Sequence, residues 1–325
     1  MDKIIGMGNA LTDVLVTLKD DRILCELALP KGSMTLIDEL KLKQVHRCLE
    51  GMTTQLAAGG SAGNTIRSLA WLDTQTGFIG KIGDDEYGQF YASGLKQRKI
   101  QVHLSVDTGA TSGVASTFIS PGGERTFATY LGASQLKAED FTPELFDGYT
   151  YLYIEGYMVQ DHEMILHAIA LAKEAGLIVC IDLASYNIVE QDRDFFRFLI
   201  ENYVDIVFAN EEEARAFTGK PAREATDEIA SMCSIAVVKA RTEGAFIRRG
   251  TEVLQVEAPP VPQVIDTTGA GDYFAAGFLY GLLHGCSMRK CGQAGSLLAG
   301  YIIQVIGAEL PEAYWDEIKM KINKL

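Results

Sequence analysis

Short apolar runs alternate with longer amphipathic stretches from about residue 149 onwards. The pattern predicts five strands with helices between them. The predicted strands cover residues 151–154, 178–182, 206–209, 236–239 and 245–248. Short buried strands that alternate with helices are typical of a mostly parallel sheet with helices on both faces. We therefore expect an α/β fold.

The first half of the chain combines this pattern with a β-hairpin signal. Further strands are predicted at residues 3–8 and 77–82, and helices at residues 59–73 and 84–98. Residues 114–130 alternate apolar and polar positions around a Pro-Gly-Gly-Glu turn, which predicts a hairpin. Residues 13–36 and 102–130 do not follow a strand–helix alternation. We therefore expect them to form a small β lid inserted into a single domain spanning residues 1–325.

Polar side chains follow three of the predicted strands. Asp182, Asn210 and Lys239 each stand at the carboxyl end of a strand. In open parallel sheets, ligands bind in the crevice outside the carboxyl ends of the strands. These three residues are therefore candidates for a functional site.

The most informative motif is residues 266–275, which read Asp-Thr-Thr-Gly-Ala-Gly-Asp-Tyr-Phe-Ala. An apolar helix is predicted to begin at Asp272. Backbone N–H groups at a glycine-rich helix N-terminus bind anions, because they point outwards and the helix dipole favours negative charge. A carboxylate at such a site can take a proton from an attacking hydroxyl. The motif indicates phosphoryl transfer to an alcohol, with a tight turn and an Asp N-cap as the structural alternative.

Composition and charge narrow the class of protein. The 325 residues are 47% hydrophobic and 22% charged, and the formal net charge is −14. So acidic a chain is not expected to bind nucleic acid or an anionic membrane as its main partner. No apolar run approaches the roughly 18 residues of a membrane span, and no targeting segment is visible. We therefore expect a cytoplasmic protein that binds small molecules.

Three motifs together resemble those of the ribokinase-like (PfkB) carbohydrate kinases, and most closely those of adenosine kinases. Residues 8–13, Gly-Asn-Ala-Leu-Thr-Asp, resemble the family's N-terminal substrate motif. Residues 58–64, Ala-Gly-Gly-Ser-Ala-Gly-Asn, resemble its di-glycine signature, and residues 266–272 its second signature. The resemblance covers essentially the whole chain. It implies a ribokinase-like fold and an ATP-dependent kinase that acts on a hydroxyl of a nucleoside or sugar.

The resemblance also implies catalytic roles for single residues. Asp272 would be the base that deprotonates the acceptor hydroxyl. The backbone N–H groups of Gly269, Ala270 and Gly271, with that of Asp272, would bind the transferring phosphoryl group. Arg125 matches a lid arginine that adenosine kinases bring onto the phosphates, where a cation offsets the charge that builds up.

Binding roles are implied in the same way. Sugar hydroxyls would be held by Asn9, Asp13, Gly59, Gly60 and Asn64. Nucleotide contacts would come from Asn210, Lys239, Thr267 and Gly244. Asn210 and Glu213 match the family's Asn-x-x-Glu, which organises Mg²⁺ largely through water. ATP is therefore the expected co-substrate and Mg²⁺ the expected cofactor, while K⁺ dependence and the choice between monomer and homodimer stay open.

The chain departs from the family pattern at two places. Tyr273 follows the catalytic Asp where the family usually has a small residue, so its ring is expected to narrow or reshape the site. Residues 239–241, Lys-Ala-Arg, replace the family's Thr-x-Gly. Lys239 or Arg241 would then contact phosphate in place of the usual residues.

The identity of the acceptor rests on apolar and aromatic residues. An apolar slot for a purine is predicted from Leu11, Met34, Leu36 and Tyr157. Plain core packing is the alternative explanation for these side chains. An adenosine-like nucleoside is therefore favoured only slightly over a free pentose or hexose. A ligand-sensing protein with a kinase fold is a further alternative, and the retained Asp272 with its Gly-Ala-Gly segment argues against it.

Overall fold

The computed structural model describes residues 2–325, which form fourteen strands and eleven α-helices. The strands are β1 (Ile4–Met7), β2 (Leu11–Thr17), β3 (Met34–Leu36), β4 (Thr54–Ala58), β5 (Thr76–Gly83), β6 (Gln101–Asp107), β7 (Gly113–Ile119), β8 (Arg125–Tyr130), β9 (Tyr151–Glu155), β10 (Ile178–Asp182), β11 (Ile206–Asn210), β12 (Ile235–Lys239), β13 (Ala245–Arg249) and β14 (Glu252–Val256). The helices are α1 (Arg22–Glu26), α2 (Glu39–Leu49), α3 (Ser61–Trp71), α4 (Glu86–Gln97), α5 (His162–Glu174), α6 (Tyr186–Asn202), α7 (Glu211–Thr218), α8 (Ala222–Ile229), α9 (Ala270–Leu283), α10 (Met288–Ile302) and α11 (Ala313–Ile322). Across residues 2–325, no helix combines the length and the hydrophobicity needed to cross a membrane.

The larger sheet has nine strands in the order β14-β13-β12-β11-β10-β9-β1-β5-β6. The strands from β12 to β6 are parallel, whereas β13 and β14 run antiparallel to their neighbours. Successive residues of β1 bury opposite faces, since Ile4 packs into one hydrophobic cluster and Ile5 into another. Helices α3, α9 and α10 contribute to the first cluster, and α5, α6 and α7 to the second. The predicted arrangement, a mostly parallel sheet with helices on both faces, is confirmed.

Five short strands form a second sheet, the lid, in the order β3-β8-β7-β2-β4. One face of the lid packs against α1 and α2 through a third cluster that includes Val14, Leu42 and Phe118. Strands β7 and β8 pair antiparallel, as the predicted hairpin requires. The opposite face of the lid carries Asp13.

The lid differs from the prediction in two strands. Strand β6 pairs in parallel with β5 at the edge of the larger sheet, from Gln101 opposite Gly77 to Asp107 opposite Gly83. Its placement in the lid is therefore wrong, because an edge strand with one solvated face shows the same alternation as a lid strand. Strand β4 pairs antiparallel with β2 and is a lid strand that the pattern does not reveal, because it is largely exposed.

Candidate active site

Asp272 lies in the first turn of α9 and faces α3. Its Oδ1 accepts a hydrogen bond from Ser61 Oγ at 2.6 Å, and its Oδ2 accepts one from Asn64 Nδ2 at 2.7 Å. The Thr65 hydroxyl donates to the Asp272 carbonyl at 3.2 Å. The di-glycine motif and the Gly-Ala-Gly motif therefore meet at one carboxylate. Ser61 is a site residue that sequence analysis misses, although it begins the helix that follows the di-glycine.

The Gly-Ala-Gly segment forms the N-terminal end of α9. Gly269 is the N-cap and has a φ of +78°, a conformation that favours glycine. The Ala270 N–H donates back to the Thr267 carbonyl at 3.2 Å and closes the turn, and its predicted contact with an anion stays a prediction. The N–H groups of Gly271 and Asp272 begin the helix, where α-helical geometry gives them no internal acceptor. They therefore point towards any anion at the positive end of the helix dipole.

Lys239, at the end of β12, points at this end of α9. A Cβ atom on Gly271 would lie 3.1 Å from Lys239 Nζ. The same ammonium pairs with Asp182 Oδ2 at 2.7 Å, and the two side chains are only 15% and 6% exposed. Burial acts to lower the pKa of Lys239, but Asp182 and Glu213 outweigh burial and raise the pKa. Lys239 therefore stays charged beside the predicted phosphoryl site.

Three carboxylates act on the Lys239 ammonium. Burial raises the pKa of Glu213 to about 7, and the neighbouring Asp182 adds to the shift. Burial also raises the pKa of Asp272 to about 6, although the hydrogen bond from Ser61 lowers it. With Asp182, Glu213 and Asp272 around one ammonium, the site carries more negative than positive charge when the carboxyl groups are ionised, and a bound cation would offset it.

Asp13 reaches over the di-glycine motif from lid strand β2. A Cβ on Gly59 would lie 2.4 Å from Asp13 Oδ1, so this carboxylate fits only against glycine. Gly60 has a φ of +79°, and a Cβ there would lie 2.3 Å from the Asn9 carbonyl. Within residues 2–325 the Asp13 carboxylate accepts no hydrogen bond, and burial raises its pKa to about 7. A partly exposed carboxylate without a protein donor suits the predicted binding of hydroxyl groups.

Glu155, at the carboxyl end of β9, is a second residue that sequence analysis misses. Its Oε1 accepts from the Asn9 N–H at 2.8 Å, and its Oε2 accepts from the Ala62 N–H at 2.9 Å. A Cβ on Gly8 would lie 2.4 Å from Glu155 Oε2, so any larger residue at position 8 would collide with this carboxylate. Burial raises the pKa of Glu155 to about 7. Its place at a strand end, the signal used for Asp182, would have identified it.

Asn64 has different contacts from those predicted. Its Nδ2 donates to Asp272, while its Oδ1 accepts from the buried guanidinium of Arg67. Arg67 also donates to the Ala58 carbonyl at 2.6 Å, directly before the di-glycine. Asn64 therefore orients Asp272, and because its amide has a second N–H, its contact with a sugar hydroxyl stays a prediction.

The acceptor residues predicted from the lid lie on one face of it. Leu36 is paired with Thr129, Thr129 with Ala115, and Ala115 with Asp13. Residues paired directly across strands point to the same face, so Leu36 and Asp13 share a face, as does Met34 two residues earlier. Met34 and Leu36 are 47% and 52% exposed. Core packing is therefore the wrong explanation for these two side chains.

Leu11 and Tyr157 lie nearer the sugar motifs. Leu11 precedes Asp13 by two residues in β2 and shares its face of the lid. Tyr157 follows β9 on the side of the larger sheet. Burial raises the pKa of Tyr157 to about 12, with Glu155 and Glu213 adding to the shift. The structure therefore places Tyr157 among the site carboxylates.

Arg125, on β8, contacts the start of the catalytic motif. Its guanidinium pairs with Asp266 Oδ2 at 2.8 Å, and the two side chains are mostly buried. Asp266 Oδ2 also accepts from the Gly307 N–H at 2.7 Å. Arg125 acts on Asp13 as well, since its charge lowers the pKa of that carboxyl. The lid arginine therefore joins the lid to the loop that carries Asp272.

The residues predicted for the nucleotide side have mainly structural contacts. Asn210 caps α7, because its Oδ1 accepts from the N–H groups of Glu212 and Glu213 at 2.9 Å. Asn210 Nδ2 donates to Glu213 Oε1 at 2.6 Å. A Cβ on Gly244 would lie 1.9 Å from the Val256 carbonyl, so this glycine is required by the turn after β12.

Both departures from the family pattern have identifiable contacts. Arg241 has a φ of +43°, is 71% exposed and pairs with Glu212 at 2.7 Å, so it contacts α7. The buried Tyr273 donates its hydroxyl hydrogen to the Ala308 carbonyl at 3.3 Å and accepts from the Leu310 N–H at 3.1 Å. The expectation that its ring narrows the site is wrong, since the ring belongs to the core.

We expect Ser61→Ala to shift the pH dependence of activity upwards. The Ser61 hydroxyl stabilises the ionised form of Asp272 and so lowers its pKa, which burial has raised to about 6. Without this donor the pKa rises. The acid limb of kcat/KM should then move up by roughly half a pH unit to one unit, the equivalent of a hydrogen bond worth about 1 kcal/mol.

Measuring kcat/KM from about pH 5 to 9 checks this expectation. Ser231→Ala is the control, because Ser231 is exposed and its hydroxyl donates to the carbonyl of Glu228 at 2.6 Å. An acid limb that stays in place in Ser61→Ala would show that Asp272 is not the group that titrates.

A carboxylate at a glycine-rich helix N-terminus, a charged lysine beside it and a lid over an acceptor side define an α/β phosphotransferase that uses an alcohol as acceptor. Residues 34–313 match the model of the pfkB family of carbohydrate kinases. The chain therefore belongs to the pfkB family of carbohydrate kinases, as its three motifs predict.

Relatives with related structures include both sugar and adenosine kinases. A probable sugar kinase from Rhizobium etli CFN 42 is 31% identical, with a TM-score of 0.89 over 100% of this chain and 99% of that one. The adenosine kinase from Sinorhizobium meliloti is 31% identical, with a TM-score of 0.87 over 99% of both chains. Adenosine kinase 1 of Arabidopsis thaliana is 27% identical over 95% of this chain and 96% of its own length. These likenesses confirm the ribokinase-like fold.

Proposed function

We propose that this protein transfers the γ-phosphoryl group of ATP to a hydroxyl of an adenosine-like nucleoside. The observation that carries the kinase assignment is the position of Asp272, which Ser61 and Asn64 hold at the glycine-rich start of α9. A pKa of about 6 leaves Asp272 ionised at neutral pH but still basic enough to accept a proton. A ligand-sensing protein would have no use for such a base.

The proposed reaction uses groups that are already in place. The acceptor oxygen forms a bond to the γ-phosphorus while the bond from phosphorus to the ADP oxygen breaks. The acceptor proton passes to Asp272. The N–H groups of Gly271 and Asp272 face the charge on the phosphoryl oxygens. Asp13 accepts hydrogen bonds from other hydroxyls of the acceptor and so fixes which oxygen attacks.

The residues present fit a magnesium ion that keeps most of its waters. Among residues 2–325, no three His, Cys, Asp or Glu side chains are grouped closely enough to bind a metal ion directly. Each oxygen of Glu213 accepts one hydrogen bond from Asn210, which leaves further lone pairs for metal-bound water. The excess negative charge around Asp182 and Glu213 also favours a divalent cation. When bound with ATP, Mg²⁺ supplies neutralisation of phosphate charge.

The geometry of the lid favours a nucleoside over a free sugar as the acceptor. Leu36 and Asp13 face the same side of the lid but lie three strands apart, at about 4.8 Å per strand, so roughly 14 Å separates them. A free pentose held by Asp13 does not reach Leu36. A base attached to the sugar makes the acceptor longer, and the exposed Met34 and Leu36 would give that base an apolar wall.

ADP release from Mg-ATP tests the proposal against a panel of acceptors. The panel contains adenosine, other nucleosides, ribose, fructose and fructose 6-phosphate. We expect adenosine to give the highest kcat/KM. Turnover of a free sugar in preference to every nucleoside would keep the kinase assignment and contradict the nucleoside. That outcome would agree with the likeness to a probable sugar kinase.

We expect Leu36→Ala to raise the KM for adenosine by roughly fivefold to tenfold. Leu36 is 52% exposed, and covering it with a purine removes apolar surface from water, which is worth about 1 kcal/mol for this partial burial. Leu40→Ala is the matched control, because Leu40 is 71% exposed on α2. Steady-state kinetics of both variants give the KM for adenosine. An unchanged adenosine KM in Leu36→Ala would show that Leu36 is not part of the acceptor site.

A further inference from the structure

Cations reach the start of α9 from two different parts of the fold. Arg125 comes from the lid and is paired with Asp266. Lys239 comes from β12, in the middle of the larger sheet, and is paired with Asp182 at the end of β10. A side chain on the larger sheet keeps its place whatever the position of the lid.

The Lys239 ammonium is held from one side only. Asp182 Oδ2 accepts from Nζ at 2.7 Å, while Asp182 Oδ1 accepts from the Ala184 N–H at 3.1 Å, which fixes the carboxylate. An ammonium has three donors, and within residues 2–325 Asp182 takes the single hydrogen bond that Lys239 makes. The free donors lie beside Gly271, where a Cβ would come within 3.1 Å of Nζ.

We propose that Lys239 is a catalytic residue whose ammonium, positioned by Asp182, binds the oxygens of the phosphoryl group during its transfer. This inference rests on the proposed function. Lys239 keeps all its protons: the acceptor proton goes to Asp272, the oxygen–phosphorus bond to the acceptor forms and the bond to ADP breaks. The cation offsets charge on the phosphoryl oxygens opposite the N–H groups of α9. Asp182 is a positioning residue.

The decisive experiment removes both charges together. Lys239→Met alone would leave Asp182 buried without a partner and would confuse stability with catalysis. The double variant Lys239→Met with Asp182→Asn removes both charges of the ion pair, so Asp182 is not left as an unpaired buried charge. We expect its kcat to fall by roughly 10²-fold to 10³-fold while its melting temperature stays near that of the wild type.

A binding measurement separates catalysis from structure. We expect the double variant to lose affinity for MgADP with aluminium fluoride, a mimic of the transferring group, by about the same factor as kcat. Its affinity for MgADP alone should change by no more than about threefold, because Lys239 contacts only the transferred group. The control pair is Lys81→Met with Asp140→Asn, a 3.0 Å ion pair of similar burial, at 13% and 8% exposure.

The outcomes distinguish this inference from the proposed function. If the double variant keeps kcat within about threefold of the wild type, Lys239 is not catalytic and the kinase assignment stands. If the wild type turns over none of the panel acceptors, the proposed function fails. The role of Lys239 is then tested by the binding of MgADP with aluminium fluoride alone. Equal affinity of wild type and double variant for that complex would overturn the role of Lys239, and weaker binding by the variant would support it.

Discussion

Asp272→Asn is expected to lower kcat by roughly 10³-fold to 10⁴-fold while the protein stays folded and binds its substrates. The change removes a base that contributes about 10²-fold to 10⁴-fold in comparable sites. The fold should survive because an Asn side chain keeps an oxygen for the Asn64 amide and an amide for the Ser61 hydroxyl. Acceptor and ATP affinities, measured by calorimetry, should change only a few-fold.

The stability of Asp272→Asn gives a second readout with a defined sign. The folded pKa of Asp272, about 6, lies above its usual value of 3.8, chiefly because of burial. The folded protein therefore binds more protons than the unfolded chain between these values, and stability falls as pH rises through this window. Above this pH window the wild type carries a partly buried negative charge on Asp272, and the variant does not. The melting temperature of the variant should therefore equal or exceed that of the wild type.

Asp73→Asn is the matched control for Asp272→Asn, because it makes the same chemical change on a side chain that is 81% exposed. Its kcat should equal that of the wild type. Activity of Asp272→Asn within a few-fold of the wild type would show that Asp272 is not the catalytic base.

Asp13→Ala should lower kcat/KM for the acceptor by roughly 10²-fold to 10⁴-fold and leave the KM for ATP nearly unchanged. The Asp13 carboxylate accepts no hydrogen bond within residues 2–325, so its lone pairs are available to two acceptor hydroxyls. Hydrogen bonds to a charged group are worth about 1.5 to 3 kcal/mol each, which gives this range. Initial rates with each substrate varied in turn separate the two KM values.

Thr17→Ala serves as the control for Asp13→Ala, since Thr17 is an exposed residue at the far end of the same strand. A change in the ATP KM as large as that in the acceptor KM would mean that Asp13 supports the lid as a whole. Asp13→Asn adds a further check, because it keeps the shape against Gly59 but replaces one acceptor oxygen with a donor.

The site residues most easily predicted from the sequence are those at which the backbone conformation or a close neighbour requires glycine. Gly59, Gly60 and Gly269 are needed because a side chain would collide with neighbouring atoms or because φ is positive, and such requirements leave glycine motifs in the sequence. The inner strands of the larger sheet are predictable for a related reason, since burial on both faces gives continuous apolar runs, whereas the edge strands β6 and β14 are more exposed and lack this signal.

Contacts between distant segments were not predictable. Ser61 and Arg67 look ordinary in sequence, and each becomes part of the site only through partners that folding brings close. The hydrophobic pattern of a sequence indicates which positions are buried, but it does not indicate which polar group each buried side chain contacts. The same limit explains why the pattern predicts β6 in the lid rather than at the edge of the larger sheet.

The contact between Ser61 and Asp272 also orders events during synthesis. The two residues are 211 positions apart, so a ribosome that adds about 5 to 20 residues per second makes Asp272 roughly 10 to 40 seconds after Ser61. During this interval the growing chain displays the di-glycine segment and Asp13 with no base and no helix end to receive phosphate. An unfinished chain therefore lacks both the carboxylate and the helix end that the proposed phosphoryl transfer requires.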